Sequence, residues 1–306
     1  MMHRSLSRWS LSATATAAAA LAFSSLASAA VPEEPDQLVE YISGQILENK
    51  PQAFWNSLPA SYQSDVTEIV HLAGSKLDGD IYNATFSLLG KLGRILTEKK
   101  EFILNNPQFQ QQIDAEIAAK NWDSAASLFQ TLTTSDIATV EGLQTLDIGK
   151  FCSTTGSELM KQGMAFAQLS GEDPYSKFRD VDAEVVAQKG DMATVKVTYP
   201  NATEEAASSE EVILQKIGER WVEKEMADGW DAAMAEAKAG LESITPEANA
   251  ASKPQLMMFI GMIDGTLSSL LNAETQEQFD ASLQSAMGTV MGLVMMGSQM
   301  QGQPAN

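Results

Sequence analysis

The spacing of the hydrophobic residues changes twice along this chain of 306 residues, and this change limits the fold more than any other feature. Helical spacing dominates residues 30–170, strand spacing takes over from about 181 to 223, and helical spacing then returns. A chain that surrounds one short run of strands with helices is typical of the α+β class. We therefore predict a predominantly helical α+β fold.

The strand segment predicts a four-stranded antiparallel meander over about 181–223. Residues 193–199 alternate strictly between apolar and polar, and Gly190-Asp191 before them is a two-residue hairpin signal. The following two apolar segments flank a second turn at Gly218-Glu219. Such a sheet packs one face on helices and leaves the other in water. The acidic stretch 201–211 is expected to be a solvated loop.

Capping residues and prolines divide the helical segments. Asp36 is the candidate N-cap of the first helix, one helix is expected over 148–169, and 246–252 is expected to be a hinge-like linker. The expected division of the mature chain is a helical region over 30–170, the sheet plus one helix over 171–243, a C-terminal methionine-rich helical hairpin over 253–300, and a disordered tail over 301–306. The second of these regions should form one unit with the helices before it.

The N-terminus has the features of a secretory signal peptide. His3, Arg4 and Arg8 precede an acid-free apolar stretch, and Ala27-Ser28-Ala29 follows it. A basic start, an apolar centre and a small-residue site predict a signal peptide over 1–29 that is cleaved after Ala29, with Ala30 as the alternative. A retained N-terminal anchor is the other interpretation. We expect a periplasmic or extracellular protein of a bacterium, with no transmembrane span after cleavage.

Acidic residues outnumber basic residues by 40 to 20, which gives a net charge of −20. Removal of the predicted signal peptide takes away two arginines and makes the charge −22. A surface this acidic repels phosphate backbones and anionic lipid, so nucleic acid and polybasic membrane binding are disfavoured. The expected partner is an unknown protein or a small ligand.

The mature chain has few residues of the kinds that most enzymes use. His71 is its one histidine and Cys152 its one cysteine, which excludes histidine-rich zinc sites and an intramolecular disulfide. Glu68 and His71 share a helix face, but a di-iron bundle needs a second such pair. The segment 78–80 (Asp-Gly-Asp) predicts a turn with a helix cap rather than a calcium site. We predict no catalytic residue and no cofactor.

Methionine is the one strongly biased residue type at the C-terminal end. Eight of the 15 methionines lie between 257 and 300, and Met287, Met291 and Met295 follow one another at helical spacing. Such thioethers are candidate Cu(I) ligands, although core packing is the favoured interpretation. Gly288 and Gly292 leave room for a second helix to approach. The C-terminal helices are therefore a candidate surface for homo-oligomerisation.

Lys91, Arg94, Lys99 and Lys100 form the one basic concentration of the mature chain. Acidic residues at neighbouring helical positions favour a solvated, salt-bridged helix face. Docking of an acidic partner through Lys91 and Arg94 is the other interpretation.

The strand region also resembles a known class of proteins. The segments 190–191 (Gly-Asp), 193–197 (Ala-Thr-Val-Lys-Val), 214–216 (Leu-Gln-Lys) and 221–222 (Trp-Val) resemble the C-terminal half of exported bacterial proteins of the nuclear-transport-factor-like, SnoaL-like class. The earlier segments 53–65 and 99–104 look like a group of uncharacterised secreted bacterial proteins. The resemblance implies an α+β fold with a cone-shaped pocket between sheet and helices. No acid-base residue of that class can be matched here, so it implies no activity.

These observations favour an exported, non-enzymatic binding or interaction protein. The alternative is an enzyme or small-ligand carrier that uses an Asp or Glu in a pocket between sheet and helices. A third hypothesis is Cu(I) binding by Met287, Met291 and Met295.

Overall fold

A computed structural model describes residues 30–111, 114–171, 173–200 and 208–301, with the side chains of 289–301 excepted. The predicted signal peptide, its cleavage site at Ala29 and residues 302–306 of the predicted tail lie outside this part of the chain. The described residues form a predominantly helical α+β fold with one four-stranded antiparallel sheet, which confirms the predicted fold class.

The helices before the sheet are α1 (Pro35–Leu47), α2 (Pro51–Ser57), α3 (Ala60–Lys76), α4 (Gly79–Glu98), α5 (Lys100–Asn105), α6 (Pro107–Gln110), α7 (Ala115–Thr133), α8 (Val140–Gln144), α9 (Ile148–Ser153) and α10 (Thr155–Gln168). The sheet consists of β1 (Asp182–Lys189), β2 (Met192–Tyr199), β3 (Ser208–Ile217) and β4 (Arg220–Glu223). It is followed by α11 (Lys224–Glu242), α12 (Pro246–Leu271) and α13 (Gln276–Gln301).

The strands follow one another in the sheet in the order β1-β2-β3-β4, as the predicted meander requires. Gly190 and Gly218 form its tight turns with φ of +58° and +62°, a backbone conformation that glycine adopts without steric cost. The expected solvated loop over 201–211 is wrong at its C-terminal end, because β3 begins at Ser208. Glu210 and Glu211 pair with Val197 and Lys196 of β2, so backbone pairing extends the ladder through an acidic sequence.

The two faces of the sheet pack against different helices. Ala193, Val195 and Val197 of β2 are at most 1% exposed and belong to a core shared with Leu38 of α1. On the opposite face, the residues Val222, Leu58 and Tyr62 form a smaller core near α11. The sheet is therefore buried against α1 on one side, whereas its other side is covered only near β4 and leaves Ile213 45% exposed.

A third core lies among the helices alone. It is built from Ile95 of α4, Ile103 of α5, Trp122 and Ala126 of α7, Leu270 of α12, Ala273, and Phe279 of α13. Helix α4 packs on both α7 and α12, and α10 packs on α7. Helices α12 and α13 also contact each other, so the C-terminal segment forms a helical hairpin. Gln301, expected to belong to a disordered tail, is the last residue of α13.

The single helix expected over 148–169 is divided into α9 and α10 at Thr154. This residue has φ −117° and ψ −94°, outside the helical region. The hydroxyl groups of Ser153 and Thr154 both donate to the carbonyl oxygen of Lys150. Serine and threonine hydroxyls that bond to the backbone in this way compete with helix continuation, and apolar spacing alone does not reveal them.

Two other helix starts differ from the expectation. The expected linker over 246–252 is the beginning of α12, where Thr245 accepts a hydrogen bond from the Ala248 amide and Pro246 occupies the first helical position. The first helix begins at Pro35 with Glu34 as N-cap, so Asp36 lies in its first turn instead of capping it.

Candidate functional site

Two hollows with apolar walls lie within the described part of the molecule. The first, here called the sheet pocket, lies between α1 and the α1-facing side of the sheet and has a volume of about 310 Å³. The second, here called the helical pocket, lies within the helical core and has a volume of about 380 Å³. Both are large enough for a small molecule.

The apolar walls of the sheet pocket follow from two simple periodicities. Leu38, Val39 and Ile42 lie on one face of α1, where residues one turn apart meet. Val197 of β2 and Leu214 of β3 lie on the side of the sheet that faces α1, because alternate residues of a strand share a face. Sheet and helix thus present aliphatic side chains to one shared space.

Three polar side chains converge at one end of the sheet pocket. The Tyr199 hydroxyl donates a hydrogen bond of 2.7 Å to Oε1 of Glu210. Glu223 also lines the pocket. Burial, the hydrogen bond to Glu210, and the negative charges of Glu210 and Glu223 together raise the pKa of Tyr199 to about 12. The phenol is therefore a protonated donor at neutral pH, turned toward a carboxylate.

No lysine, arginine or histidine is among the described residues that line the sheet pocket. Glu210 and Glu223 are both exposed, so they are accessible from solvent. The pocket therefore combines an apolar interior with a negative, hydrogen-bonding end. This arrangement suits a molecule with an apolar body and a cationic or hydrogen-bond-donating end.

The predicted interaction residues Lys91 and Arg94 form ion pairs within the chain. The Lys91 ammonium group donates to Oδ1 of Asp264 at 2.5 Å and to the hydroxyl of Ser268 at 2.9 Å. Arg94 pairs with Glu98 one turn away, as the salt-bridged helix face predicts, and this contact lowers the pKa of Glu98. Docking of an acidic partner at Lys91 and Arg94 stays a prediction.

The methionine and glycine candidates of α13 fall largely outside the described side chains. The side chain of Met287 is described and is 55% exposed, whereas those of Met291 and Met295, and the surroundings of Gly292, are not. A Cβ atom at Gly288 would meet nothing within 4 Å. Cu(I) binding and self-association through these residues stay predictions.

His71 and Glu68 do not act as a pair. His71 Nε2 lies 3.1 Å from the carbonyl oxygen of Leu146, and a ring nitrogen at that distance donates its proton there. Glu68 instead forms an ion pair with Lys238 of α11. Cys152 is half-buried, and burial raises the pKa of its thiol.

The segment 78–80 caps a helix, as predicted. The Asp78 carboxylate accepts hydrogen bonds from the amides of Asp80 and Ile81 at the start of α4. The Lys253 ammonium group binds the carboxylates of both Asp78 and Asp80. The Ile81 amide and Lys253 are the main causes of the lowered pKa of Asp78.

The described residues give two further findings. They contain no group of three or more histidine, cysteine, aspartate or glutamate side chains arranged to hold a metal ion. Among the same residues, no helix combines the length and the apolar character that a membrane span requires.

Comparison with known protein families, curated proteins and solved structures finds no match for this chain. The nuclear-transport-factor-like resemblance therefore stays a prediction. Tyr199, Glu210 and Glu223 were not among the predicted site residues. For Glu210 a signal existed, since it precedes Val212 and Leu214 at the two-residue spacing of one strand face.

Proposed function

We propose that this is an exported, non-catalytic binding protein whose sheet pocket takes a small amphipathic molecule with a cationic, hydrogen-bond-donating end. One observation carries the proposal, namely the Tyr199–Glu210 pair at the end of a mostly apolar hollow. The predicted signal peptide supports a location outside the cytoplasm. The predicted nuclear-transport-factor-like resemblance, which implies a pocket between sheet and helices, supports the same location for the site.

The two halves of the sheet pocket would contribute to binding in different ways. Burial of an alkyl body against Leu38, Val197 and Leu214 removes apolar surface from water. An ammonium group near Glu210 and Glu223 gains attraction while remaining in contact with solvent. The overall charge of −20 also raises the local concentration of cations.

The position of Glu210 supports binding rather than proton transfer. A carboxyl group that serves as a general base is usually tuned by burial in a dry site. Glu210 is exposed and already accepts a hydrogen bond from the phenol of Tyr199. We therefore assign it the role of orienting the polar end of the ligand.

Calorimetric titration with three ligands of equal chain length tests the proposal. We expect decylammonium to bind more tightly than decanol, and decanol more tightly than decanoate, because the polar end of the pocket is negative. Glu210→Gln should weaken decylammonium binding about five- to tenfold, equivalent to about 1–1.4 kcal/mol, and leave decanol binding nearly unchanged.

Glu211→Gln is the matched control. It removes the same charge from the next residue of β3, which pairs with Lys196 and points to the opposite face of the sheet. Equal decylammonium affinities in the two variants would mean that overall charge, and not Glu210, attracts the cation. Decanoate binding as tight as decylammonium binding would contradict the proposed ligand class.

A further inference from the structure

The helical pocket is a deep, partly open hollow that shares no lining residue with the sheet pocket. Several of the side chains that line it are less than a tenth exposed, namely Ile95, Ile103, Trp122, Ala126, Leu270 and Phe279. Residues this deeply buried form the floor of a deep cleft, which opens to solvent where the exposed residues Phe166 and Ser170 line it. A small molecule, rather than a folded partner, fits such a space.

The walls of the helical pocket offer almost no hydrogen bonds. Among the lining residues whose side chains the structure describes, Ser170 alone carries a hydroxyl, amide or charged group. The indole N–H of Trp122 donates to the carbonyl oxygen of Leu96 at 2.9 Å and is therefore already satisfied. A buried water molecule needs two to four polar partners, whereas a hydrocarbon needs none. The chemistry of the walls thus selects a nonpolar occupant.

Polar contacts outside the hollow join the C-terminal hairpin to the helices that form its other walls. The Lys99 ammonium group donates to the carbonyl oxygen of Ala273 at 2.7 Å, and the Asn106 side chain donates to Asp280 at 2.7 Å. Together with the Lys91–Asp264 pair, these contacts fix the C-terminal hairpin against α4, α5 and α6. The position of the hairpin relative to these helices is therefore set at three points outside the hollow.

The mouth of the helical pocket lies at the end of α10. Phe166 lines the pocket and is 46% exposed, and it contacts Phe129 of α7 edge to face at 6.4 Å. Ser170, the polar lining residue, lies one turn further along and is exposed. A ligand with one polar end would therefore place that end here and its apolar part inside.

We infer that the helical pocket is a second ligand site, which takes a single aliphatic chain with its polar end at Ser170. An apolar cavity of about 150 Å³ holds benzene, so about 380 Å³ has room for about 15 non-hydrogen atoms. This size corresponds to a chain of about 14 carbons with one polar atom. A charged group would remain at the mouth, because the interior has nothing to pair with it.

Displacement of the fluorescent probe N-phenyl-1-naphthylamine by linear alkanols of 8 to 16 carbons tests the inference. Affinity should rise with chain length up to about 14 carbons and then stop rising. Ala126→Leu adds three carbons inside the hollow, so it should move this optimum about three carbons lower and weaken tetradecanol binding at least tenfold. Octanol binding should change less than threefold.

Ala119→Leu is the matched control, since Ala119 lies on the same helix, α7, and is exposed. Thermal unfolding checks that both variants are folded. The optimum alkanol length is a second check, because partial unfolding would not shift it to a shorter alkanol. Phe166→Ala, at the exposed mouth, offers a second variant that should fold and should speed tetradecanol dissociation several-fold. The same length profile in Ala126→Leu and Ala119→Leu would overturn the inference and leave the hollow as a packing gap.

Two further ligands identify the class of lipid that supplies the aliphatic chain. Tetradecanoate represents a free fatty acid, and a lysophosphatidylcholine with a 14-carbon chain represents a phospholipid. Displacement of the probe by either supports the site and names its source, whereas failure of both and of every alkanol would overturn the inference. Ala126→Leu should leave unchanged the loss of decylammonium affinity that Glu210→Gln causes, so this site and the sheet pocket stand or fall separately.

Discussion

Glu210 places a charged group on the face of β3 whose other pocket-lining residues are apolar. Its neighbours Val212 and Leu214 on the same face of β3 are apolar and line the same pocket. Glu210 lies on this same face but carries a carboxylate, which accepts a hydrogen bond from the Tyr199 hydroxyl. In the sequence this glutamate belongs to an acidic run that resembles a loop. Its spacing to Val212 and Leu214 indicates the strand face, but its partner could not be predicted. The partner lies across the sheet, and only the register brings the two together.

The Tyr199–Glu210 pair should make stability depend on pH in the alkaline range. The pKa of Tyr199 is about 12 in the folded protein and about 10 in an unfolded chain, so the folded state holds the proton more tightly. The resulting stabilisation is complete below about pH 10 and is lost as the pH rises toward 12. After allowance for solvent screening we expect a contribution of about 1 kcal/mol.

Urea unfolding of the wild type and of Tyr199→Phe between pH 8 and 12 measures this contribution. The wild type should be the more stable of the two at pH 8, and the difference in free energy of unfolding should shrink by about 1 kcal/mol at pH 12. A difference that stays constant over this range would show that the phenol does not titrate with an altered pKa.

At the scale of elements, α4 packs on two helices at once. The side chain of Lys91 reaches α12, while Gly93 faces α7. A Cβ atom at Gly93 would lie 2.8 Å from Cβ of Phe129, closer than two such atoms can come. The absence of a side chain at Gly93 therefore sets the distance between α4 and α7, which are two walls of the helical pocket.

Gly93→Ala should destabilise the protein by about 1–3 kcal/mol, because the two helices must move apart. Gly90→Ala, three residues earlier on α4, is the matched control, since its Cβ would meet Thr133 at an ordinary 3.8 Å. There the better helix propensity of alanine should stabilise the protein by up to about 1 kcal/mol. Urea unfolding distinguishes the two, and equal effects would mean that Gly93 does not determine the packing.

The positions of helices and strands could be predicted wherever the apolar spacing was long and regular, as in the meander and the last helix. The ends of helices and strands were harder to predict, because they depend on local hydrogen bonds. At Thr154 two hydroxyl groups interrupt a helix whose apolar residues continue on both sides. At Pro246 a sequence typical of a linker begins α12, because Thr245 caps it.

At the scale of the whole molecule, the hollows could not be predicted from the sequence. The helical pocket is formed by side chains from Leu92 to Leu283, so its walls come from segments far apart in the chain. The same residues in a slightly closer arrangement would make a filled core. Apolar spacing predicts which residues are buried, whereas the space left between them depends on how whole helices are held.

The surplus of acidic residues should make the stability of the whole protein depend on salt. A net charge of −20 repels itself in the compact state, and added ions screen this repulsion. Raising sodium chloride from 20 to 300 mM should therefore raise the melting temperature by a few degrees. A falling melting temperature in calorimetry would show that ion pairs such as Lys91–Asp264 outweigh the general repulsion.

Each of the two hollows has its own tryptophan in the wall, Trp122 in one and Trp221 in the other. Both indoles are fixed by hydrogen bonds to backbone carbonyl oxygens, those of Leu96 and Glu33. Emission from an indole responds to the polarity around it, so the molecule contains two built-in optical reporters. With every other tryptophan of the chain replaced by phenylalanine, the emission wavelength of the remaining one would reveal when its neighbouring pocket fills.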